Sequence, residues 1–220
     1  METLEEIRNT ISTEITSDDA EIRAEYFKHF KPDIEKFIDA MARAFLEWRA
    51  LDNNIHADER RAYVSGLVHT SITLHLLSLK LFVSGNTVAA GNLMRQVLES
   101  IALALLCAGK NLGILEKFMD GTYRTNNAIR DVKVHSNFLM LKPDGVAALA
   151  DSQNFYHQYS HPTLLTLAAG ISWTEKGLYV GASFDEGKLE AYSKEINSRV
   201  GLAEVFVNFI HAVNANLYKW

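Results

Sequence analysis

The chain predicts an all-α fold, a bundle of about six or seven helices, and three observations carry that prediction. Only three prolines and twelve glycines are spread over 220 residues, which leaves long stretches free of helix breakers. An apolar fraction of 48% beside 22% charge is that of a chain able to bury a core. Apolar residues recur at helical rather than alternating spacing over most of the length. A single domain over 1–220 is expected, with a core bundle over about 18–165, a short β-hairpin at about 170–184 and a long C-terminal helix at about 185–218.

The elements follow in order. The stretch "METLEEIRNTISTEIT" is acidic and amphipathic. Ser17 with Asp18, Asp19 and Glu21 marks a helix start, placing a capping side chain and acids at the positive end of the dipole. Tyr26, Phe27, Phe30, Ile34, Phe37, Met41, Phe45 and Trp48 then form one buried face, with Pro32 expected to kink or restart the helix. "LDNNIHAD" breaks that helix, and a second long one follows from about Glu59 to Ser84, carrying Tyr63, Leu67, Thr70, Leu74, Leu77 and Leu81. Gly85 suits a helix C-cap and Asn86 the next N-cap. The helix from Thr87 to Ala108 is nearly apolar in its second half, as in the centre of a bundle or at an oligomer interface. Gly109 closes it, and a helix capped by Asn111 is expected to run past Gly121 to His135. Pro143 fits a helix's first turn, so residues 144–159 read as helical. "GISWTEKGLYVGASF" alternates and is rich in aromatic and β-branched residues, which predicts the hairpin. Ser183 with Glu186 predicts a capping box for the last helix.

Composition narrows the function. A formal net charge of -5 supplies no basic field for a phosphate backbone, which disfavours DNA. The single Cys107 cannot pair internally and sits in the apolar run "IALALLCAG", so a cytoplasmic setting is expected. The N-terminus lacks the pattern of a signal peptide, and the run from Ile101 to Ala108 is too short to cross a bilayer, so no membrane role is expected. The apolar helix around Ile101 to Leu106 and the hairpin aromatics Trp173, Tyr179 and Phe184 suggest a homodimer.

Chemistry concentrates in "NFYHQYSHPT". On a continuous helix His157 and His161 would share a face, as many metal sites require. Pro162 pushes His161 out of the helical region, however, and no HExxH or Glu-x-x-His pattern supplies further ligands, so neither a metal nor another cofactor is expected. His69 reads as a core or boundary residue of its helix, with His75 on the opposite side. Arg95 and Glu99 stand one helical turn apart beside an apolar seam. They form either an ion pair that orients helices or a site in which Arg95 reaches an anion or the junction of Tyr156, Tyr159 and Ser160. Gly-rich phosphate loops, Gly-x-Ser-x-Gly elbows and paired CxxC motifs are missing.

"RQVLES" on an apolar helix, followed later by "YHQYSHP", resembles a set of bacterial helical proteins with an Arg-x-x-x-Glu helix and a Tyr-x-x-x-Ser element beside a histidine. Those proteins are similar to the HEPN superfamily of helical bundles, many of them metal-independent ribonucleases or toxins of defence and toxin–antitoxin systems. The resemblance covers about residues 60–165 and implies RNA as a candidate substrate and a role in defence or stress. It also implies an Arg-x(4–6)-His motif, whose arginine would stabilise phosphorane charge while the histidine moves the 2'-hydroxyl proton. "RDVKVH", Arg130 to His135, has that spacing, as do Arg23 with His29 and Arg49 with His56. Arg130 is preferred, because Asp131 matches the polar second position. The rival reading is a non-enzymatic bundle that binds a protein or small ligand, with Arg95, Glu99, Tyr156, Ser160 and His161 as a structural polar cluster.

Overall fold

A computed structural model describes residues 3–55 and 58–220. Its nine α-helices, counted among those residues, are α1 (Leu4–Thr16), α2 (Ala20–Asn53), α3 (Glu59–Val83), α4 (Thr87–Ala108), α5 (Ile114–Met119), α6 (Ala128–His135), α7 (Pro143–Tyr156), α8 (Leu164–Gly170) and α9 (Leu189–Leu217). The all-α class holds, but six or seven helices undercounts them. The helix expected from Asn111 to His135 is broken twice, because Gly113 and Gly121 take left-handed φ angles of 63° and 69°. Two further short helices, α1 and α8, lie outside the anticipated long ones.

Several boundaries fall where local chemistry puts them. Asp58 caps α3 by accepting from the N–H groups of Arg60 and Arg61, and Pro143 occupies the first turn of α7. Gly85, at φ 82°, ends α3 beside Ser183, whose backbone leaves no room for a Cβ. Other expectations fail. α2 continues through Pro32 and does not restart there, since the core stripe on both sides of the proline holds the helix at the cost of one backbone hydrogen bond. The capping box from Ser183 does not form; Asp185 instead accepts from the N–H of Gly187, and a 3₁₀ turn, Glu186–Lys188, precedes α9.

No strand forms among the described residues, so the hairpin expected at 170–184 is corrected to a loop closed by one antiparallel bridge, Ile171 to Leu178. Its polar side chains take the donors that a ladder would use. Asp185 accepts from the N–H of Trp173 at 2.6 Å, and Ser172 Oγ accepts from the N–H of Glu175 at 2.9 Å. Burial opposes the charge on Asp185, but the N–H groups of Trp173 and Gly187 and the Thr174 hydroxyl hold its carboxyl below the usual range.

α4 is the axis of the bundle and packs against α3, α5, α6, α7, α8 and α9, while α2 packs mainly on α9 and α3. Every residue from Ile101 to Ala108 is buried within the chain, so this stretch serves the core. α3 and the stretch Glu186–Leu217 have the length and mean hydropathy of membrane spans, 1.4 and 1.2, yet both contribute residues to this shared core.

The buried face of α3 is not the one its large side chains suggest. Tyr63 and Leu77 are exposed, while Val64, Ser65, Val68, Ser71, Ile72, His75, Ser78 and Phe82 are buried. The helix is apolar nearly all round, so periodicity alone does not select a face. Serines there let α3 lie close along α4, and Ser71 and Ser78 direct their hydroxyls to backbone carbonyls of Leu67 and Ala90.

Candidate functional site

α7 ends at Tyr156, a 3₁₀ turn carries His157–Ser160, and His161 follows in an extended conformation as Pro162 demands. The turn delivers its side chains to two different places. Arg95 Nε donates to Glu99 Oε1 at 2.9 Å, and its Nη1 donates to Ser160 Oγ at 2.6 Å, so that triad assembles at the partly buried edge of α4. Tyr156 and His161 do not join it. His161 is exposed, its ring edge-to-face with that of His157 at 4.7 Å, and no group of three metal-ligating side chains occurs among the described residues.

Tyr156 and Tyr159 turn inward to a network that sequence reasoning missed. The Tyr159 hydroxyl donates to Glu195 Oε1 at 2.9 Å, and the Tyr156 hydroxyl donates to Oε2 at 3.1 Å and lies 3.0 Å from Ser198 Oγ. Arg199 Nη1 donates to the same Oε2 at 2.6 Å, while its Nε donates to Ser78 Oγ at 3.0 Å. Arg199 is fully buried, with its guanidinium 4.6 Å over the Phe82 ring, and its Nη2 has no acceptor among the described residues. Burial pushes the Tyr156 hydroxyl up to about 12 and raises that of Tyr159 as well, so both remain protonated donors to the carboxylate. The missed signal was legible: Glu195 and Arg199 repeat on α9 the i, i+4 spacing that singled out Arg95 and Glu99.

The two ring nitrogens of His75 differ in the same region. Nε2 lies 3.0 Å from the Arg199 carbonyl, which makes it the protonated nitrogen, and Nδ1 has no partner. Burial between Phe37 and Phe206 lowers the His75 pKa to about 3, against the raising effect of that carbonyl. His75 is thus a neutral core residue. His69, expected at the core or its boundary, is exposed and rests on the Trp48 ring at 4.5 Å.

Arg130 and His135 both lie on α6, where a five-residue step turns through about 140° of helix. The Arg130 guanidinium is exposed and paired with Asp131 at 3.0 Å, and Asp131 also accepts from the Tyr123 hydroxyl at 3.0 Å. Of the alternatives, Arg23 bonds the Asp18 carbonyl and Ser84, His29 stacks on Phe184, and His56 lies outside the described residues.

A deep concavity lies beside the buried network. A cleft of about 700 Å³ runs between α7 and α9, with Met94, Leu98, Ile101 and Leu105 of α4 as its floor. Val146 and Leu149 form one wall and Leu202, Val205, Phe206 and Phe209 the other. The Tyr156 bonds to Glu195 and Ser198 pin the walls together at one end, where Ser152 and Ser198 reach the lining. Lys142, Asp144, Asn208 and His211 line it towards the opposite ends of the two helices, with His211 also 3.1 Å from Glu47. Comparison of the chain with protein-family models, curated proteins and solved structures returns no match, so this cleft and the network that closes it carry the functional argument.

Proposed function

We propose that the protein is a ligand-binding helical bundle, without enzymatic chemistry, whose α4–α7–α9 cleft takes an elongated, mainly apolar small molecule. The cleft itself carries this reading: its volume lies in the range of small-molecule sites, and its apolar floor and walls meet a few polar groups at the two ends. Burial of apolar surface would supply affinity. Ser152 and Ser198 would orient a hydroxyl or carbonyl at the pinned end, and Lys142, Asn208 and His211 a polar head at the other. Cys107, buried and with its thiol pushed up to about 12, is inert and suits a cytoplasmic setting.

RNA cleavage in a defence or stress role is supported less well, because Asp131 already neutralises Arg130. One experiment addresses both readings. An environment-sensitive apolar dye should bind the parent protein saturably at one site and be displaced by long-chain fatty acids. Ala148→Trp, at an exposed cleft position, should weaken dye binding at least tenfold while the far-UV circular dichroism is unchanged. Equal dye binding by that variant would reject the cleft, and RNA degraded by the parent but not by Arg130→Ala would restore the ribonuclease reading.

A further inference from the structure

Two apolar stripes on the surface have no partner within the chain. On α1, Leu4, Ile7, Ile11 and Ile15 recur one turn apart along a single face, α1 has no buried residue, and Leu4 and Ile15 are 84% and 77% exposed. On α8, Leu164 and Leu167 stand about one turn apart; past the helix end at Gly170, Ile171 is extended, and the bridge sets Leu178 directly opposite it with Val180 two residues on. Leu164 and Leu178 are 86% and 78% exposed. The stripes are neighbours, because Glu14 of α1 accepts from the N–H of Ala182 at 2.8 Å across Gly181, whose φ of 85° and lack of Cβ leave room for that carboxylate.

We propose that these stripes form an isologous dimer interface, in which α1 of each copy packs on α8 and the 171–180 loop of the other. Magnitudes favour this pairing over the alternatives. At about 100 Å² for a fully exposed aliphatic side chain, the two stripes together offer roughly 600 Å² of apolar surface per copy. With the usual polar rim that makes an interface of about 1,000 Å² per copy, above the roughly 800 Å² of a standard stable complex. The α1 stripe alone offers only about 250 Å², too little for a dimer of α1 on α1. Two-fold symmetry lets each stripe of one copy meet the other stripe of its partner, so that both are covered at once.

Charge agrees with a second copy as the occupant. α1 carries Glu5, Glu6 and Glu14 against Arg8, so an anionic bilayer would repel it. α8 carries no charge and the exposed Glu175 offsets Lys176 at the tip of the loop, so the surface that a second copy presents to α1 is neutral overall and does not repel its acids. The dimer is independent of what the cleft binds.

Light scattering on the full chain at micromolar concentration should give twice the 24.7 kDa chain mass. Ile11→Glu and Leu167→Glu, both at exposed positions, should each restore the single-chain mass with unchanged circular dichroism. An equal mixture of Ile11→Cys and Leu167→Cys proteins should form a disulfide-linked dimer on mild oxidation, undisturbed by the buried Cys107. A monomer mass at every concentration, a dimer that survives both glutamates, or cross-linking by Ile11→Cys alone would each overturn the proposal. So would a monomer that binds phosphatidylcholine vesicles through the same residues.

Discussion

At the scale of single residues, the structure turns on an arginine that water never reaches. Arg199 satisfies two of its nitrogens through Glu195 and Ser78 and covers the face of Phe82 with its plane. Removing one member of a buried ion pair strands the other, which costs about 3–5 kcal/mol, whereas replacing both by apolar residues costs far less. Glu195→Gln should therefore lower the unfolding free energy by several kcal/mol in urea titration, and Arg199→Met should rescue part of that loss in the double variant. Independent, additive losses would show that the two side chains do not act as a pair. The arrangement also explains why the polar cluster expected around Arg95 holds only in part. Tyr156 stands four residues from Ser160 in sequence, yet the change from α-helix to 3₁₀ turn between them sends Tyr156 to α9 and leaves Ser160 with Arg95.

At the scale of elements, the meeting of α4 with the turn after α7 depends on one glycine. A Cβ at Gly91 would fall inside the Tyr159 ring, so the ring lies flat against the helix backbone there. Gly91→Ala would ordinarily stabilise a helix by about 1 kcal/mol. In this protein it should destabilise by roughly 1–3 kcal/mol, the cost of forcing an extra carbon into a packed site, and loosen the Tyr159 bond to Glu195. A raised melting temperature for that variant would contradict the packing described. Long helices were legible because their caps and breakers are local: Asp58, Gly85 and Pro143 act on their own neighbours. The face of α3 was not, because an all-round apolar helix leaves the choice to its partner, and α4 selects serines over Tyr63 and Leu77. Nor was the loop in place of a hairpin, since Asp185, which takes the Trp173 donor, lies outside the alternating stretch. The cleft is a property of three helices far apart in sequence, and no local pattern announces it.

At the scale of the whole molecule, acid stability follows from His75. Its folded-state pKa of about 3 lies below the ordinary 6.5, so the unfolded chain takes up the proton first. The contribution of its neutral ring is complete above about pH 6.5 and is lost progressively as the pH falls towards 3, on the order of a few kcal/mol in total. Unfolding free energies measured between pH 7 and 4 should fall on this account, and His75→Phe should flatten that part of the profile. An unchanged slope in the variant would assign the acid sensitivity elsewhere.

The pairing of α2 with α9 has a further consequence, for the growing chain. α9 follows α2 by more than a hundred residues, and bonds such as Arg199 to Ser78 close loops of similar length. Contacts that distant are slow to form, because the entropy of closing the loop is lost before the contact contributes. On the ribosome, α3 and α4 find each other early, while Tyr26 and Phe37 of α2 wait for α9 to complete their burial. The most aromatic helix of the bundle therefore keeps part of its apolar face uncovered until α9 has been made, which exposes it to aggregation in that interval.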